Sequence, residues 1–442
     1  MTLFRARVYS PLASASESPS DPANHLCLED GFVRTSEGRI TGVGPWDRRP
    51  PSGTGEEVVN LGPDKLLTPG FVDTHLHAPQ LQMIGSYGGH LLEWLNQYTF
   101  PTEARFVDDD YARRIATALF DDLLRNGTLS ALIFSSIHKK ATGRFFEEAE
   151  RRGFRAIIGK TMMDRNAPPA LTETADQSYA DSRELLLHWN GRGLLKYAIT
   201  PRFAPTSSEQ LLELAGDLKR EFADVHVQSH ISENAAEVRW VRELYPDAKH
   251  YADVYDRAGL LSSRTVLAHG VHLTGPELAL LAEREVKIAH CPNSNLFLGS
   301  GLFPLRTVQA RGIGVGLGSD IGGGTTSSIF NAMADAYKVQ QVQGVSLSPF
   351  ELWYLATLGG ARALSLELET GSLEIGKSAD LLVLNLKATP LLALRTERVE
   401  SFDQLLAGLI FMGDDRLVET AYIQGRLVHD RSLRSREGHS AH

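Results

Sequence analysis

The sequence is poor in cysteine and lacks long apolar runs. Only two cysteines, Cys27 and Cys291, occur among 442 residues, which excludes a disulfide framework. No segment approaches the roughly 18 consecutive apolar residues that a transmembrane helix requires. The first residues, MTLFRARVYS, also lack the apolar core of a secretory signal peptide. We therefore expect a cytoplasmic protein.

A surplus of basic charge is absent as well. The chain has 45 lysines and arginines against 54 aspartates and glutamates, a net charge of −9. Such a chain has no excess of cations to neutralise phosphates, so nucleic acid and anionic membranes are not expected as its main partners. A hydrophobic content of 42% and a charged content of 22% are typical of soluble globular proteins.

Both ends of the chain carry β patterns. Residues 1–66 contain short alternating segments broken by turn signals such as Asp30-Gly31. The segments GSLEIGKSADLLVLNL (371–386) and RLVETAYIQGRLVHD (416–430) have the same character. We predict that residues 1–66 and 371–442 together form one small β-sandwich domain.

The middle of the chain alternates short apolar runs with amphipathic helical patterns. The predicted strands are 67–77, 128–135, 154–163, 194–203, 225–231, 265–271, 286–291 and 314–320. This number of strand–helix repeats favours a (β/α)₈ TIM-like barrel over a doubly wound sheet. We predict that residues 67–370 form this barrel.

The predicted strands end in polar side chains. In a barrel the site lies at the C-terminal ends of the strands, which here carry His75 and His77, Ser135 and Ser136, Asp164 and Arg165, Arg202, His230, His269, His290, and Asp320. The two histidines of the His-x-His pair point to one side of their strand. Such a triplet alone is a weak signal of a metal site in a chain with 15 histidines, because the pair could also be packed or solvated. Together with His230, His269 and Asp320, it suits a divalent transition metal with an open position for water. Zinc is the default metal, and iron and manganese accept the same ligands.

Several residues near these ends have two interpretations. Glu233 follows His230 by three positions and is either a general acid/base or a loop glutamate before a helix. His290 is either a ligand or a supporting core residue, whereas Cys291 is better explained as a small buried residue than as a nucleophile. The segment GSYGGHLLEWLNQYTFPTEARF either closes over the barrel mouth or packs through Trp94, Leu95 and Phe100.

Several sequence motifs resemble a known superfamily. PGFVDTHLHA, SHISEN, LAHG, AHCPNSN and GLGSD, in this order, resemble the amidohydrolase superfamily of metal-dependent barrels. Longer strings are similar to its guanine deaminase family: HAPQ, LLEWLNQYTFPTEARF, MMDRNAPP, TPRFAPTSS, HCPNSNLFLGSGLFPL and GSDIGGGTTSS. The similarity extends over residues 66–345.

The resemblance implies roles for individual residues. It makes His75, His77, His230 and Asp320 the ligands of one Zn²⁺, with Fe²⁺ as second choice. Glu233 would shuttle protons, His269 would orient the water, and Asp320 would also relay a proton. Gln80, Arg202 and Phe203 would hold guanine, and the chain would form a homodimer. The bridging lysine of two-metal members is missing from AITPRF at the end of strand four, which fits the single-metal branch.

Other functions remain open. A related aminohydrolase would act on another purine, a pyrimidine or a triazine. A non-catalytic barrel scaffold would be expected to lose the ligand set, which is present here. Arg202, finally, is either a ligand-binding residue or one half of a structural ion pair.

Overall fold

The chain folds into a parallel barrel and a separate mixed sheet. The computed structural model describes residues 1–51, 53 and 55–433. The N-terminal strands are β1 (Thr2–Pro11), β2 (His25–Ser36), β3 (Arg39–Pro45) and β4 (Glu57–Pro69). The barrel strands are β5 (Phe71–His77), β6 (Thr128–Phe134), β7 (Arg155–Gly159), β8 (Thr161–Met162), β9 (Leu195–Pro201), β10 (His226–Ile231), β11 (Thr265–His269), β12 (Lys287–His290) and β13 (Val315–Leu317). Three strands close the chain: β14 (Leu381–Asn385), β15 (Val418–Ile423) and β16 (Arg426–Asp430).

Helices surround the barrel and cover its mouth. They are α1 (Leu91–Trp94), α2 (Phe100–Glu103), α3 (Asp109–Arg125), α4 (Lys139–Arg152), α5 (Ala175–Trp189), α6 (Glu209–Glu221), α7 (Ala235–Leu244), α8 (Tyr251–Arg257), α9 (Gly275–Glu283), α10 (Pro292–Phe297), α11 (Leu305–Gln309), α12 (Ile329–Val342), α13 (Pro349–Ala356), α14 (Leu358–Ala363), α15 (Pro390–Thr396) and α16 (Phe402–Met412). In the described part of the chain, none of them has the length and apolarity needed to cross a bilayer.

The small sheet combines both ends of the chain. Its strand order is β16-β15-β14-β4-β1-β2-β3, and only the β1–β4 pair is parallel. Val8, Val33 and Val383 belong to its apolar core. The predicted fold class is confirmed as a (β/α)₈ barrel with a separate β structure from both chain ends. The strands predicted to form a small β-sandwich form one mixed seven-stranded sheet. The division of the chain into two domains stays a prediction. Residues 434–442 of the predicted small β domain lie outside the described residues.

The passage from the small sheet to the barrel occurs at Gly70. β4 continues to Pro69 and pairs with β14. The prediction that the first barrel strand begins at residue 67 is therefore wrong, since residues 67–69 belong to the small sheet. The Gly70 amide donates to Asp380 in the small sheet, and the next amide, of Phe71, donates to Gly127 in the barrel. A Cβ on Gly70 would lie only 2.4 Å from Leu129, so the crossing needs glycine.

The barrel strands run in the order β5-β6-β7-β9-β10-β11-β12-β13, with β8 as a short extension paired to β9. Every residue of β6 and β10 is buried, as expected for parallel strands covered on both faces. An apolar layer including Val72, Leu132 and Val266 belongs to one core cluster with Leu364 and Leu366. This packed core supports the polar strand ends.

A buried ion pair joins the two sheets. Nε and Nη2 of Arg155, at the start of β7, donate to Asp380 Oδ2 at 3.3 and 3.2 Å. Asp380 also accepts hydrogen bonds from Ser378 and from the backbone of Gln424. Both charged side chains are almost completely buried, so removing Arg155 would leave the Asp380 carboxylate as a costly unpaired charge.

One buried histidine at the start of β10 makes stability depend on pH. His226 donates from Nε2 to the Leu364 carbonyl at 2.9 Å, and burial lowers its pKa to about 3. The unfolded chain titrates this group near its usual pKa of about 6.5. Between these two values the unfolded state binds the proton and the folded state does not, so stability falls as the pH drops below 6.5.

We predict that His226→Gln weakens this acid sensitivity. Glutamine can donate to the same carbonyl but does not titrate, and at pH 5 the histidine costs about 2 kcal/mol of stability. The measurement is the urea midpoint of parent and variant at pH 5 and pH 7.5. The parent should lose more stability than the variant between pH 7.5 and pH 5. Equal losses of stability would contradict this role of His226.

Candidate active site

The polar strand ends meet in one cavity at the mouth of the barrel. Of the predicted site residues, those that line it are His77, Gln80, Arg202, Phe203, His230, Glu233, His269 and Asp320. His75 is not in the lining, but its ring contacts the His77 and His230 rings edge-on. The remaining wall is Leu91, Trp94, Leu95, Leu298 and Gly323. The structure thus brings together all the predicted site residues.

Two histidine nitrogens face each other in the centre. His77 Nε2 and His230 Nε2 are 3.0 Å apart. His230 donates from Nδ1 to the Arg202 carbonyl at 2.6 Å, so its Nε2 carries a lone pair when the ring is neutral. Two nitrogens that share one zinc ion at roughly 2.0–2.1 Å each would show a similar separation. The contact is the arrangement expected of two ligands of one ion.

A carboxylate and further imidazoles complete the cluster. Asp320 Oδ1 lies 3.3 Å from His75 Nε2 and 3.6 Å from His77 Nε2. Within the described residues, two sets have ligand atoms within 4.8 Å of one another: His75, His77 and Asp320, and His75, His230 and His269. Buried nitrogen and oxygen donors in this combination fit a divalent transition metal.

The charge states of the cluster also fit a metal. Burial, and then the charge of neighbouring histidines, lowers the pKa of His77 and His230 well below the usual range. Burial alone would raise the pKa of Asp320, but hydrogen bonding from His75 and the charge of the surrounding histidines hold it well below its usual range. Neutral imidazoles and an ionised carboxylate are the forms that bind metal ions.

Asp73 ties together the two segments that carry ligands. Its Oδ1 accepts from the amides of His75 and Ser319 at 3.1 and 3.0 Å. The Asp320 amide donates to the His75 carbonyl at 2.9 Å. Asp320 and His269 have φ angles of +49° and +73°, a left-handed conformation that costs a non-glycine residue free energy. These two strained residues both lie in the cavity wall.

Glu233 points into the cavity and not to the surface. Its side chain is buried after β10, Ser300 Oγ donates to Oε1 at 3.3 Å, and His269 Nε2 lies 3.4 Å from Oε2. Burial, and then the charge of Asp320, raises the pKa of Glu233 to about 8. Glu237 accepts from the Glu233 backbone amide at 2.8 Å and thereby fixes its position. Glu233 is therefore suited to hold a proton near neutral pH.

His269 is oriented by a residue that the sequence did not single out. Its Nδ1 lies 2.9 Å from Asn295 Oδ1, and because that oxygen only accepts, Nδ1 carries the hydrogen. Nε2 is then left to accept, facing Glu233 and, at 3.9 Å, Asp320. Asn295 lies within the AHCPNSN motif, whose similarity to the superfamily is the one signal that marked it.

A second unpredicted residue contacts two of the predicted substrate-binding side chains. Glu103 Oε2 accepts from Arg202 Nη1 at 2.6 Å, and Oε1 accepts from Gln80 Nε2 at 2.9 Å. The guanidinium carbon of Arg202 also lies 5.7 Å from the centre of the Phe100 ring. Arg202 therefore both forms an ion pair and lines the cavity, so the two interpretations of it are compatible.

The other ambiguous residues are resolved by packing. The ring of His290 stacks on Phe303 at 4.5 Å and burial lowers its pKa to about 3, and it belongs to neither possible metal cluster among the described residues. Burial raises the pKa of the Cys291 thiol, which suits an inert core residue. Trp94 and Leu95 are buried side chains that also form a cavity wall.

Comparison with known proteins identifies a family. The profile described as Amidohydrolase family matches residues 66–428. Guanine deaminase from Escherichia coli (strain K12) is 45% identical over 417 residues, which cover 94% of this chain and 95% of that protein. Guanine deaminase from Rattus norvegicus is 38% identical over 385 residues, 84% of this chain and 85% of that protein.

Solved structures give the same result. The E. coli guanine deaminase structure matches with a TM-score of 0.94 and 43% identity, covering 98% of this chain and 100% of that one. Guanine deaminase from C. acetobutylicum with bound guanine in the active site matches with a TM-score of 0.89 and 32% identity, over 97% and 100% of the two chains. An adenosine deaminase from Xanthomonas campestris with bound zinc matches with a TM-score of 0.83 and 27% identity, over 99% and 97%.

We predict that the cluster binds about one divalent metal ion per chain, because its two sets of close ligand atoms overlap at His75. Elemental analysis after purification without chelator should give that ratio. His230→Asn should lose most of the metal, whereas His290→Asn, a matched change at a buried histidine outside the cluster, should keep it. Two tightly held ions, or equal losses in both variants, would contradict the assignment.

Proposed function

Because the chain belongs to the amidohydrolase family, we propose that it is a guanine deaminase, which hydrolyses guanine to xanthine and ammonia. The observation that carries this proposal is similarity to guanine deaminases along almost the whole chain, 45% identity over 94% of its length for the E. coli enzyme. The enzyme is a hydrolase of carbon–nitrogen bonds. A triazine hydrolase shares its fold at only 19% identity. This likeness gives no support to a triazine as the substrate.

We assign His75, His77, His230 and Asp320 as the ligands of one zinc ion. The neutral imidazoles and the ionised carboxylate support this set, and a related adenosine deaminase structure contains zinc. When bound, such a metal supplies a water whose pKa is lowered to about 7, so that hydroxide is available at neutral pH. Iron is the second choice for the same donors.

Glu233 moves the first proton. It takes a proton from the water and delivers it to a ring nitrogen beside C2 of guanine, which makes that carbon more electrophilic. A pKa of about 8 allows both transfers near neutral pH. His269, whose Nδ1 is held by Asn295, presents Nε2 to the same region and orients the water.

Asp320 completes the reaction. The bond from the water oxygen to C2 forms, Asp320 takes the remaining hydroxyl proton and passes it to the exocyclic nitrogen, and the bond from C2 to this nitrogen breaks. Ammonia and xanthine leave. The Asp320 pKa, well below its usual range, keeps this carboxylate ionised before the reaction.

The purine is held by three side chains. Arg202 presents N–H donors that match the O6 and N7 acceptors of guanine, as in the commonest arginine–guanine contact in DNA readout. Gln80 hydrogen-bonds the base edge, and the buried ring of Phe203 offers an apolar contact. Adenine has a donor where guanine has O6, and it lacks an amine at C2.

We also propose that the enzyme is a cytoplasmic homodimer that acts in purine breakdown. The resemblance of its motifs to the guanine deaminase family supports this. The alternative of a scaffold without activity is disfavoured, because the polar groups that the reaction needs line the cavity, apart from His75, whose ring contacts those of His77 and His230.

We predict guanine as the best substrate in a panel with adenine, cytosine and triaminotriazine. A site built around buried polar groups rejects analogues that leave them unpaired, often by about 10⁴-fold. Ammonia release should be measured for each compound, with the absorbance change of guanine to xanthine as a second signal. Faster turnover of any other member would contradict the assignment.

We predict that Glu233→Gln keeps the fold and the metal but loses activity about 10²–10⁴-fold, since glutamine has the same shape but cannot transfer a proton. Steady-state guanine deamination and metal content are the measurements. Glu243→Gln, at an exposed position on α7, is the matched control and should retain activity. A Glu233 variant with parental turnover would remove this residue from the mechanism.

A further inference from the structure

Glu103 is a buried carboxylate outside the metal cluster. It is the last residue of α2, in the segment between β5 and α3, and its side chain is 7% exposed. Its two oxygens have different partners, Arg202 Nη1 and Gln80 Nε2. These partners follow two separate strands, β9 and β5. A single carboxylate therefore holds two side chains that approach the cavity from different elements.

The contact determines which way the Gln80 amide faces. A carboxylate oxygen can only accept, so the amide nitrogen must point to Glu103 and the amide oxygen must point away. That oxygen lies toward Gly322, where an added Cβ would approach it to 2.1 Å. Gly322 has a φ of +113°, which further requires glycine. Gln80 lines the cavity, and its amide oxygen is the atom that the contact with Glu103 leaves as a hydrogen-bond acceptor for a bound molecule.

The same contact orients Arg202. Glu103 occupies Nη1, and Phe100 lies beside the guanidinium. In the described part of the chain, the other guanidinium nitrogens have no hydrogen bond to a protein acceptor. Since Arg202 lines the cavity, its remaining N–H donors are available to a bound molecule.

Together the pair presents donors beside an acceptor. The complementary base edge has an acceptor next to a donor, as O6 and N1–H do in a 6-oxopurine. A 6-aminopurine has the opposite pattern. The pair of Glu103 and Arg202 also carries no net charge, which suits a neutral base better than an anion.

We infer that Glu103 is a positioning residue that holds Arg202 and Gln80 in the orientation that selects a 6-oxopurine. This inference rests on the proposed function and extends it to a residue that does not itself contact the reacting atoms. Glu103→Gln tests it, because the new amide can accept from Arg202 but would then place its own N–H groups against those of Gln80. The Gln80 amide must turn, and the acceptor at the cavity is lost.

The experiment compares two ligands on the metal-loaded protein by calorimetry. Hypoxanthine has O6 and N1–H but no amine at C2, whereas unsubstituted purine has neither group. In Glu103→Gln we expect hypoxanthine affinity to fall at least about tenfold and purine affinity to change less than about twofold. Guanine KM should rise more than kcat falls. The control is Glu93→Gln, an exposed acid on α1, which should match the parent.

A double variant separates positioning from folding. If Glu103 acts through Arg202, adding Glu103→Gln to Arg202→Lys should reduce hypoxanthine affinity much less than it does in the parent. Glu103→Asp, which keeps the charge on a shorter side chain, should retain part of the preference for hypoxanthine over purine that Glu103→Gln loses. Circular dichroism and metal content establish that each variant is folded.

The possible outcomes separate the inference about Glu103 from the proposed function. Equal losses for hypoxanthine and purine would mean that Glu103 only supports the fold, and unchanged affinities would mean that it does not position the pair. A parent protein that neither prefers hypoxanthine to purine nor deaminates guanine would refute the proposed function itself. A parent that does both, with a variant of unchanged selectivity, would refute the role of Glu103 alone.

Discussion

The hydrogen bonds between the first and last barrel strands are the constraint on which the site depends. Asp73 holds the amides of His75 and Ser319, and the Asp320 amide donates to the His75 carbonyl. These contacts bring β13 back to β5 and set three cluster residues side by side. Any shift between the two strands would separate His75 and His77 from Asp320. Closure of the barrel and alignment of the cluster thus depend on the same hydrogen bonds.

Burial and neighbouring charge then give the cavity carboxyl groups different states. Asp320 lies among histidines that keep its pKa well below the usual range, whereas Glu233 is buried beside that negative charge and has a pKa of about 8. Two carboxyl groups whose environments move their pKa values apart can take different proton-transfer roles in one reaction. The charge of Asp320 in the cluster therefore contributes to the raised pKa of Glu233.

The sequence predicts the parts of this site that follow from strand geometry. His75, His77, His230, His269 and Asp320 were found because polar residues at strand ends meet at one end of a barrel. The same rule could not separate His269 from His290, since both end a strand. They differ in the folded structure, because His269 has a left-handed backbone whereas the ring of His290 stacks on Phe303. The prediction that the first barrel strand starts at residue 67 was wrong, because the apolar run continues through Gly70 although the backbone changes its hydrogen-bond partners there from the small sheet to the barrel.

Glu103 and Asn295 show why the rest needed the structure. Neither ends a strand, and in sequence each is an ordinary polar residue in or beside a helix. Their roles depend on partners far away along the chain, Arg202 and His269. The segment after β5 therefore has two roles that periodicity cannot separate, because Trp94 and Leu95 form part of the cavity wall while Glu103 contacts Arg202 and Gln80. Trp94, Leu95 and Phe100 belong to one core cluster, so the cavity wall and the helix that ends at Glu103 are placed by the same packing.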